Sequence, residues 1–199
     1  INVDCYPVLD ILFDGADKVI GDRSFGRTPE KIIALAGAGA EAMMSVGVTP
    51  IIKHIPGHGR AAADSHLELP VVDASKDELS AQDFKPFADI ADSDVGAHVW
   101  AMTAHVKYSA LDGELPATIS PEIINGVIRQ QVGFDGIIVS DDLDMKALLP
   151  YGEPPEMGEK ALEAGCDLLL HCTGELKMMQ KIAEKLPKIS DSTLKRLQN

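Results

Sequence analysis

The sequence has few basic residues and no long apolar run, and both absences narrow the range of partners. Eighteen lysines and arginines stand against 31 aspartates and glutamates, which gives a net charge of -13 at neutral pH. Nucleic acids and anionic membrane surfaces are bound through a basic footprint, so neither is an expected partner. A membrane-spanning helix needs about eighteen or more consecutive apolar residues, and no such run is present.

Cysteine is also scarce. The three cysteines are Cys5, Cys166 and Cys172, and no pair has the CxxC spacing. An odd, scattered set argues against a disulfide framework and against a zinc site, and it favours a reducing compartment. Cys166 and Cys172 flank an apolar run, so we predict that both lie in the core, where unpaired cysteines are most often found.

What the sequence does contain is a dense group of ionisable residues between Lys53 and Pro70, KHIPGHGRAAADSHLELP. Two glycines and a proline near its start exclude a regular helix there. The preceding segment, 48–52, is a short apolar run with β-branched residues, which predicts a buried strand. A long polar loop that follows a buried strand is a common position for catalytic side chains.

Three interpretations of this loop are open. Its histidines, His54, His58 and His66, are separated by four and eight residues across a Gly-Pro break, which is not the helical spacing of a motif such as HExxH. A metal site and a purely structural loop remain alternatives to acid/base chemistry centred on Asp64 and His66. Because Ala61 and its neighbours are small, we also expect the loop to be poorly anchored and mobile.

The rest of the chain alternates between strands and helices. Thr28 before Pro29 predicts a helix start, and Ser75 followed by Glu78 predicts a capping box. The strands are apolar on both faces, which is typical of a parallel sheet with crossover helices. We predict strands at 2–11, 48–52, 98–105, 136–140 and 167–171.

Polar residues lie at or directly after the end of each predicted strand: Asp10, Lys53-His54, His105, Asp141-Asp142 and His171. This pattern is typical of a TIM (β/α)₈ barrel, and a doubly wound open sheet is the alternative, although no glycine-rich phosphate loop follows a strand. Only five of eight strands are present and the chain begins without methionine. We therefore expect residues 1–199 to be the C-terminal larger part of a single barrel domain, a partial barrel lacking its N-terminal strands.

Some strand-end residues stay ambiguous from sequence alone. Whether His105 and His171 line the site is left open. Trp100, inside a strand, is predicted to belong to the core rather than to a sugar-stacking platform. Arg23 could equally form a surface salt bridge.

Four stretches together resemble glycoside hydrolase family 3, in its branch of bacterial β-N-acetylglucosaminidases. They are KHIPGHGRAAADSHLELP, VIGDRSFG, AMTAHVKYSALDGELPATIS and GFDGIIVSDDLDMKAL, and the resemblance extends from Ile1 to about Gly174. The resemblance implies a TIM barrel without a cofactor or metal. It also implies removal of terminal β-linked N-acetylglucosamine, in many bacteria from muropeptides recycled from the cell wall in the cytoplasm.

The same resemblance implies roles for single residues. Asp141 matches the nucleophile, and Asp142 is its hydrogen-bonding neighbour. His66 matches the acid/base, with Asp64 as its partner in a dyad. The matches to sugar-contacting positions are Arg23, Lys53 and His54. This sequence has Ile55 where the family usually has phenylalanine and Asp144 where it often has serine, and we expect both departures to be tolerated.

The chemistry is also reasonable on its own terms. A retaining glycosidase needs a carboxylate nucleophile and a proton donor on the other side of the scissile bond. Asp141 ends a predicted strand, which suits a nucleophile that must be held precisely. A free imidazole has a pKa of about 6.5, so a histidine can donate and then accept a proton near neutral pH, which is the role matched by His66.

Two other functions remain open. A phosphorylase would act on the same bond, because a neutral histidine does not repel a phosphate nucleophile as a carboxylate would. A non-catalytic glycan-binding fragment is the third possibility. In each case the expected ligand is a glycan or muropeptide, and a missing N-terminal barrel segment or a second chain would complete the fold.

Overall fold

The computed structural model describes residues 1–198 and is built around a five-stranded parallel sheet. The strands of the chain are β1 (Val3–Asp4), β2 (Thr49–Ile55), β3 (Val71–Val72), β4 (Trp100–Thr103), β5 (Lys107–Tyr108), β6 (Ile138–Asp142) and β7 (Leu168–Leu170). The main sheet has the order β1-β2-β4-β6-β7, and every pair in it is parallel.

The strand order distinguishes a barrel from an open doubly wound sheet. In a doubly wound sheet the order reverses at a switch point, whereas here the strands follow one another across the sheet in chain order. This sequential order is that of a (β/α)₈ barrel wall. The predicted partial barrel is therefore confirmed, and the doubly wound alternative is wrong.

Helices connect successive strands, and the last two follow the final strand. They are α1 (Pro29–Ser45), α2 (Lys76–Glu78), α3 (Lys85–Ala91), α4 (Pro154–Ala164), α5 (Leu176–Lys185) and α6 (Asp191–Leu197). Two π-helical segments, Leu79–Asp83 and Glu122–Gln131, complete the connections, together with short 3₁₀ turns at Gly21–Arg23, Gly96–His98, Ala117–Ile119 and Lys146–Tyr151.

The predicted helix starts are confirmed. The Thr28 hydroxyl accepts the Lys31 N–H at the start of α1, and Pro29 occupies the first helical position. Ser75 and Glu78 form the reciprocal capping box that their spacing predicts.

The first predicted strand, 2–11, is wrong in length, because only Val3–Asp4 has regular strand pairing. Pro7 has no N–H to donate to a ladder, which interrupts the pairing. Beyond it the chain still runs beside β2, since Leu9 N–H donates to the Lys53 carbonyl and Lys53 N–H donates to the Pro7 carbonyl.

The other predicted strands are confirmed with shifted ends. Strand β2 extends to Ile55, so Lys53 and His54 belong to the strand and do not follow it. Strand β6 likewise includes Asp141 and Asp142. The region 98–105 is a strand only over Trp100–Thr103, because Gly96–His98 forms a 3₁₀ turn.

One pairing is not predicted at all. Strands β3 and β5 form a separate two-stranded parallel sheet, with Val71 opposite Lys107 and Val72 opposite Tyr108. Each strand has two residues, too short to give a periodic signal. The small sheet fastens the end of the loop after β2 to the loop after β4.

The two faces of the main sheet have different partners. Ile52, Ala101 and Ile138 point into a large core shared with helices. Their strand neighbours point to the opposite face, where a second cluster consists of strand and strand-flanking residues alone: Val3, Cys5, Ile51, Trp100, Met102, Ile137, Val139, Leu168 and Leu170. This second face is the inner wall of the barrel, and the prediction that Trp100 is a packing residue is confirmed.

The two remaining predictions have mixed outcomes. Cys166 is buried, as expected. Cys172 is exposed, and its assignment to the core is wrong because the chain leaves the sheet after Leu170. Within residues 1–198, no helix combines the length and apolar character needed to cross a bilayer.

Two glycines provide a matched test of the packing. A Cβ at buried Gly96 would lie 2.3 Å from the Ala91 carbonyl oxygen, so Gly96→Ala should lower the free energy of unfolding by about 1–3 kcal/mol. A Cβ at Gly126 would meet nothing within 4 Å, so Gly126→Ala should raise the free energy by about 0.5–1 kcal/mol. Urea unfolding of both variants measures the difference, and equal midpoints would contradict this packing.

Candidate active site

Five of the six predicted site residues line one cavity of about 120 Å³ at the carboxyl ends of β2 and β6. They are Arg23, Lys53, His54, His66 and Asp141. The sixth, Asp64, is hydrogen bonded to His66 just outside it. Residues from four separate parts of the sequence thus meet at one edge of the sheet, as the strand-end pattern predicts.

Strand alternation explains why Lys53 and Asp141 reach this cavity. Side chains two residues apart on a strand share a face. Lys53 lies two residues after Ile51, and Asp141 lies two residues after Val139. Ile51 and Val139 both belong to the inner-wall cluster. The two charged side chains are therefore the continuation of that wall at its carboxyl end.

Asp141 is held in its ionised form. Its Oδ1 accepts the Asp142 N–H at 2.8 Å. Burial raises the pKa of Asp141, but His105, His54, the Asp142 N–H and Lys53 together outweigh burial and hold this pKa below its ordinary value. Of these groups, Lys53 and the N–H act at neutral pH whatever the protonation of the two imidazoles. A carboxylate of this kind can serve as a nucleophile.

The predicted dyad is present as a hydrogen-bonded pair. The His66 Nδ1 and the Asp64 Oδ1 are 2.7 Å apart, and the same oxygen accepts the His66 N–H at 2.9 Å. Because a carboxylate can only accept, Nδ1 carries the hydrogen and Nε2 is the nitrogen available for proton transfer. Desolvation raises the pKa of Asp64, but the two hydrogen bonds from His66 and the charges of the nearby imidazoles together outweigh it, so this pKa is lowered overall.

The two basic side chains of the cavity differ in how they are held. Both Nε and Nη2 of Arg23 donate to the Val19 carbonyl, at 3.1 and 2.5 Å. Among residues 1–198 Arg23 has no carboxylate partner within salt-bridge distance, so the surface ion pair considered for it is wrong. Lys53 is half-buried on β2 and adds a second cation to the cavity.

Sequence reasoning noted Asp10 as a strand-end residue but missed its importance. This carboxylate is 1% exposed, and it accepts the His54 Nδ1–H at 2.6 Å and the His58 N–H at 2.6 Å. The His54 N–H is also within 3.2 Å of it. Asp10 therefore fixes the orientation of His54, whose Nε2 is the remaining nitrogen on the cavity side.

The first half of the loop after β2 is firmly anchored, which contradicts the expectation of a poorly anchored segment. Tyr108 donates its hydroxyl to the Gly57 carbonyl at 2.8 Å, and Arg60 pairs with Asp83 at 2.7 Å. Phe13 lies under the Arg60 guanidinium at 4.0 Å from its ring centre. These anchors are distant in sequence, so the run of small residues gives no sign of them.

The second half of the loop is more exposed. His66 and Leu67 are exposed and Asp64 is half-buried, and the side chain of His66 is 60% exposed. Ser65 is the exception, because its hydroxyl is buried 3.0 Å from the His58 Nε2. His58 thus connects the anchored half of the loop to the half that carries the dyad.

The two histidines left open by the sequence have different positions. His105 is fully buried beneath the cavity, with its Nε2 at 3.0 Å from the Asp142 carbonyl oxygen. His171 pairs with Asp144 at 2.8 Å and does not line the cavity. The Asp142 Oδ1 accepts the N–H groups of Asp144 and Cys172, and the Asp142 N–H donates to the Asp141 carboxylate.

A larger cavity of about 480 Å³ lies between β7 and helices α4 to α6. Leucines and other apolar side chains form most of its wall, so it lacks the convergent charged groups of the smaller cavity. We therefore place the chemistry in the smaller one. In the part of the chain that the structure describes, no three His, Cys, Asp or Glu side chains are arranged to hold a metal ion.

Comparison with known proteins gives consistent results. The family model described as the glycosyl hydrolase family 3 N-terminal domain matches residues 1–198. The β-hexosaminidase of Tolumonas auensis is 43% identical over 172 residues, which is 86% of this chain and 50% of that protein. The chain spans about half the length of the curated relatives it matches.

Solved structures agree with these relatives. A family 3 β-N-acetylglucosaminidase from Paenibacillus superimposes with a TM-score of 0.89 at 33% identity, covering 100% of this chain and 39% of the other. Native NagZ from Neisseria gonorrhoeae gives a TM-score of 0.87 at 35% identity, covering 100% of this chain and 56% of the other.

The buried His58 predicts a pH dependence of stability. Burial and the neighbouring His54 lower the pKa of His58 to about 4. In the unfolded chain the pKa is about 6.5, so between pH 6.5 and 4 the unfolded state binds a proton that the folded state does not. Stability should fall by about 3 kcal/mol as the pH is lowered through this window.

Urea unfolding at a series of pH values measures this effect. His58→Gln keeps an amide near Ser65 but cannot titrate. Its loss of stability between pH 6.5 and 4 should therefore be smaller than that of the wild type by about 3 kcal/mol. His98→Gln, at an exposed position, should leave the pH dependence of the wild type unchanged. Parallel curves for the wild type and His58→Gln would contradict the prediction.

Proposed function

Because this chain belongs to the glycosyl hydrolase family 3 N-terminal domain family, we propose that it carries the catalytic site of a retaining exo-β-N-acetylglucosaminidase. One observation carries the proposal: a half-buried carboxylate, Asp141, and the imidazole of the Asp64–His66 pair line the same cavity at the carboxyl end of the sheet. These are the two groups that a double-displacement glycosidase requires.

In the proposed mechanism, Asp141 attacks the anomeric carbon and forms a glycosyl-enzyme. His66, as the imidazolium, donates its Nε2 proton to the departing glycosidic oxygen, and Asp64 stabilises the positive ring through Nδ1. In the second step the now neutral Nε2 takes a proton from water, which attacks the anomeric carbon and releases Asp141. Retention of configuration follows from the two displacements.

The remaining cavity residues are proposed to bind the sugar. Arg23 and Lys53 offer N–H donors for hydroxyl oxygens, and His54 offers a nitrogen whose direction Asp10 fixes. The finer proposal is that the substrate is a muropeptide processed during cell-wall recycling in the cytoplasm. It is supported by the resemblance of the motif residues, and localisation of the natural protein in cell fractions tests it.

The proposal also covers the extent of the domain. Residues 1–199 are proposed to be the C-terminal larger part of a single barrel domain, completed by further polypeptide. The relatives, of which the chain spans about half, support this view. Hydrolysis of a chromogenic N-acetylglucosaminide by this chain, compared with the complete natural polypeptide, tests it.

A phosphorylase is the second candidate, because the charges beside the proton donor are compatible with a phosphate nucleophile. The proton donor is an imidazole with no negative charge, and two cations lie beside it, so a phosphate would not be repelled. In phosphate buffer a hydrolase releases the free sugar, whereas a phosphorylase releases the sugar 1-phosphate. A chain that binds the glycan and releases neither would be a glycan-binding module.

We expect Asp141→Asn to lower the rate of hydrolysis by about 10³-fold or more, because the amide cannot form the covalent intermediate. Asp142→Asn retains an oxygen for the two backbone N–H groups, and its rate should stay within about tenfold of the wild type. A 2-fluoro sugar should label Asp141, located by mass spectrometry of peptides. A label on Asp142 or Asp144 would overturn the assignment.

For His66→Ala we expect a loss that depends on the leaving group. Substrates with poor leaving groups should slow by about 10²- to 10⁴-fold, whereas activated aryl glycosides need little protonation and should slow much less. Steady-state kinetics on a series of aryl glycosides gives the dependence. Equal loss across the series would mean that His66 is not the proton donor.

A further inference from the structure

Four hydrogen bonds close a ring around the peptide that joins Asp141 to Asp142. The Asp141 N–H donates to the Thr103 Oγ1 at 3.3 Å, and the Thr103 and Thr118 hydroxyls are 2.8 Å apart. The Thr118 Oγ1 is 2.7 Å from the His105 Nδ1, and the His105 Nε2 is 3.0 Å from the Asp142 carbonyl oxygen. Thr103, Thr118 and His105 are fully buried.

The acceptor at one end determines the direction of every bond in this ring. A carbonyl oxygen can only accept, so the His105 Nε2 must carry a hydrogen. In a neutral imidazole the Nδ1 of His105 then carries no hydrogen, and it accepts the hydrogen bond from the Thr118 hydroxyl. Thr118 has no second hydrogen, so it accepts from Thr103, whose oxygen in turn accepts the Asp141 N–H.

One contact competes with this arrangement. The Thr118 hydroxyl is also 3.2 Å from the Ala104 carbonyl, and donating there would require a hydrogen on both nitrogens of His105. The contact is longer than the 2.7 Å contact to Nδ1. Burial also lowers the pKa of His105, more than the neighbouring Asp141 and Asp142 raise it, which disfavours the doubly protonated ring.

We propose that His105, as the neutral Nε2–H tautomer, is a positioning residue that fixes the Asp141 carboxylate through the ring. The ring holds the N–H of Asp141 and the C=O of Asp142, so the backbone is fixed on both sides of the nucleophile. The Asp142 N–H between them bonds the carboxylate itself at 2.8 Å. The inference rests on the proposed glycosidase function, because that function gives Asp141 its role.

Such a ring of hydrogen bonds matters for the rate because the rate depends on where the nucleophile is held. A nucleophile must be held within about 0.5 Å of its productive position, and a displacement of about 1 Å can cost about 100-fold in rate. His105 is not one of the residues that line the cavity. It should therefore affect the rate of attack and leave sugar binding nearly unchanged.

The first test is a pair of substitutions at Thr118 in the complete natural polypeptide. Thr118→Val removes the hydroxyl and should lower kcat by roughly 10- to 100-fold with little change in KM, while Thr118→Ser restores the hydroxyl and most of the rate. Thr193→Val removes a buried hydroxyl distant from the cavity and should change stability without changing kcat. An unchanged kcat in folded Thr118→Val would overturn the proposal.

If Thr118→Val does not fold, Thr103→Val and Thr103→Ser test the same ring at its other hydroxyl. Thermal unfolding of each variant shows which of them can be compared. A folded valine variant that raises KM and leaves kcat unchanged would place this network in sugar binding and would also overturn the proposal.

The second test does not depend on catalysis. Spectra of ¹⁵N-histidine-labelled protein report the tautomer, and we expect His105 to carry its hydrogen on Nε2 at pH 7. In Thr118→Val the Asp141 amide resonance should shift. A His105 imidazole that carries its hydrogen on Nδ1, or hydrogens on both nitrogens, would overturn the proposal even in an active enzyme. If the wild type hydrolyses no N-acetylglucosaminide, the proposed function fails, and these spectra still decide whether the ring is as described.

Discussion

The carboxylate of Asp10 is the constraint on which the rest of the site depends. A buried carboxylate is costly unless its oxygens are hydrogen bonded, and here the donors come from His54 on β2 and from the His58 N–H in the following loop. The same few bonds therefore hold the first strand segment, the end of β2 and the start of the loop together. These bonds orient the imidazole of His54 and fix the start of the loop, and the contacts of Tyr108 and Arg60 then anchor the segment that leads to His66.

A second constraint is the alternation of side chains along the strands. On β2 and β6 the apolar inner wall is continued by a lysine and an aspartate at the carboxyl ends, so Lys53 and Asp141 face the same cavity. The cavity also shows that net charge is a poor guide to a local site. The chain carries -13 overall, yet Arg23 and Lys53 meet at the cavity, where both carry N–H donors and Lys53 lowers the pKa of the Asp141 carboxyl.

The two reacting groups lie in contrasting environments, which suits their proposed roles. Asp141 lies on a strand in a ring of hydrogen bonds that includes His105, with its pKa below the ordinary value. His66 lies on the exposed half of a loop, where Asp64 holds it through two hydrogen bonds. A rigid nucleophile combined with a more accessible proton donor can react with a sugar and then admit water. Contrasting environments are a general way to assign such roles.

The sequence by itself determined the order of the five main strands and the helices between them, two helix caps and five of the residues that gather at the cavity. Apolar runs, capping spacings and the family motifs are local, and they can be identified without knowing the fold. Only the tertiary structure decided which residues support the site. Asp10 meets His54 across 44 positions, Thr118 meets His105 through a loop, and Arg60 meets Asp83 across 23 positions. A hydrogen bond between residues distant in sequence leaves no periodic pattern, because its partners are brought together only when the sheet and its loops have packed.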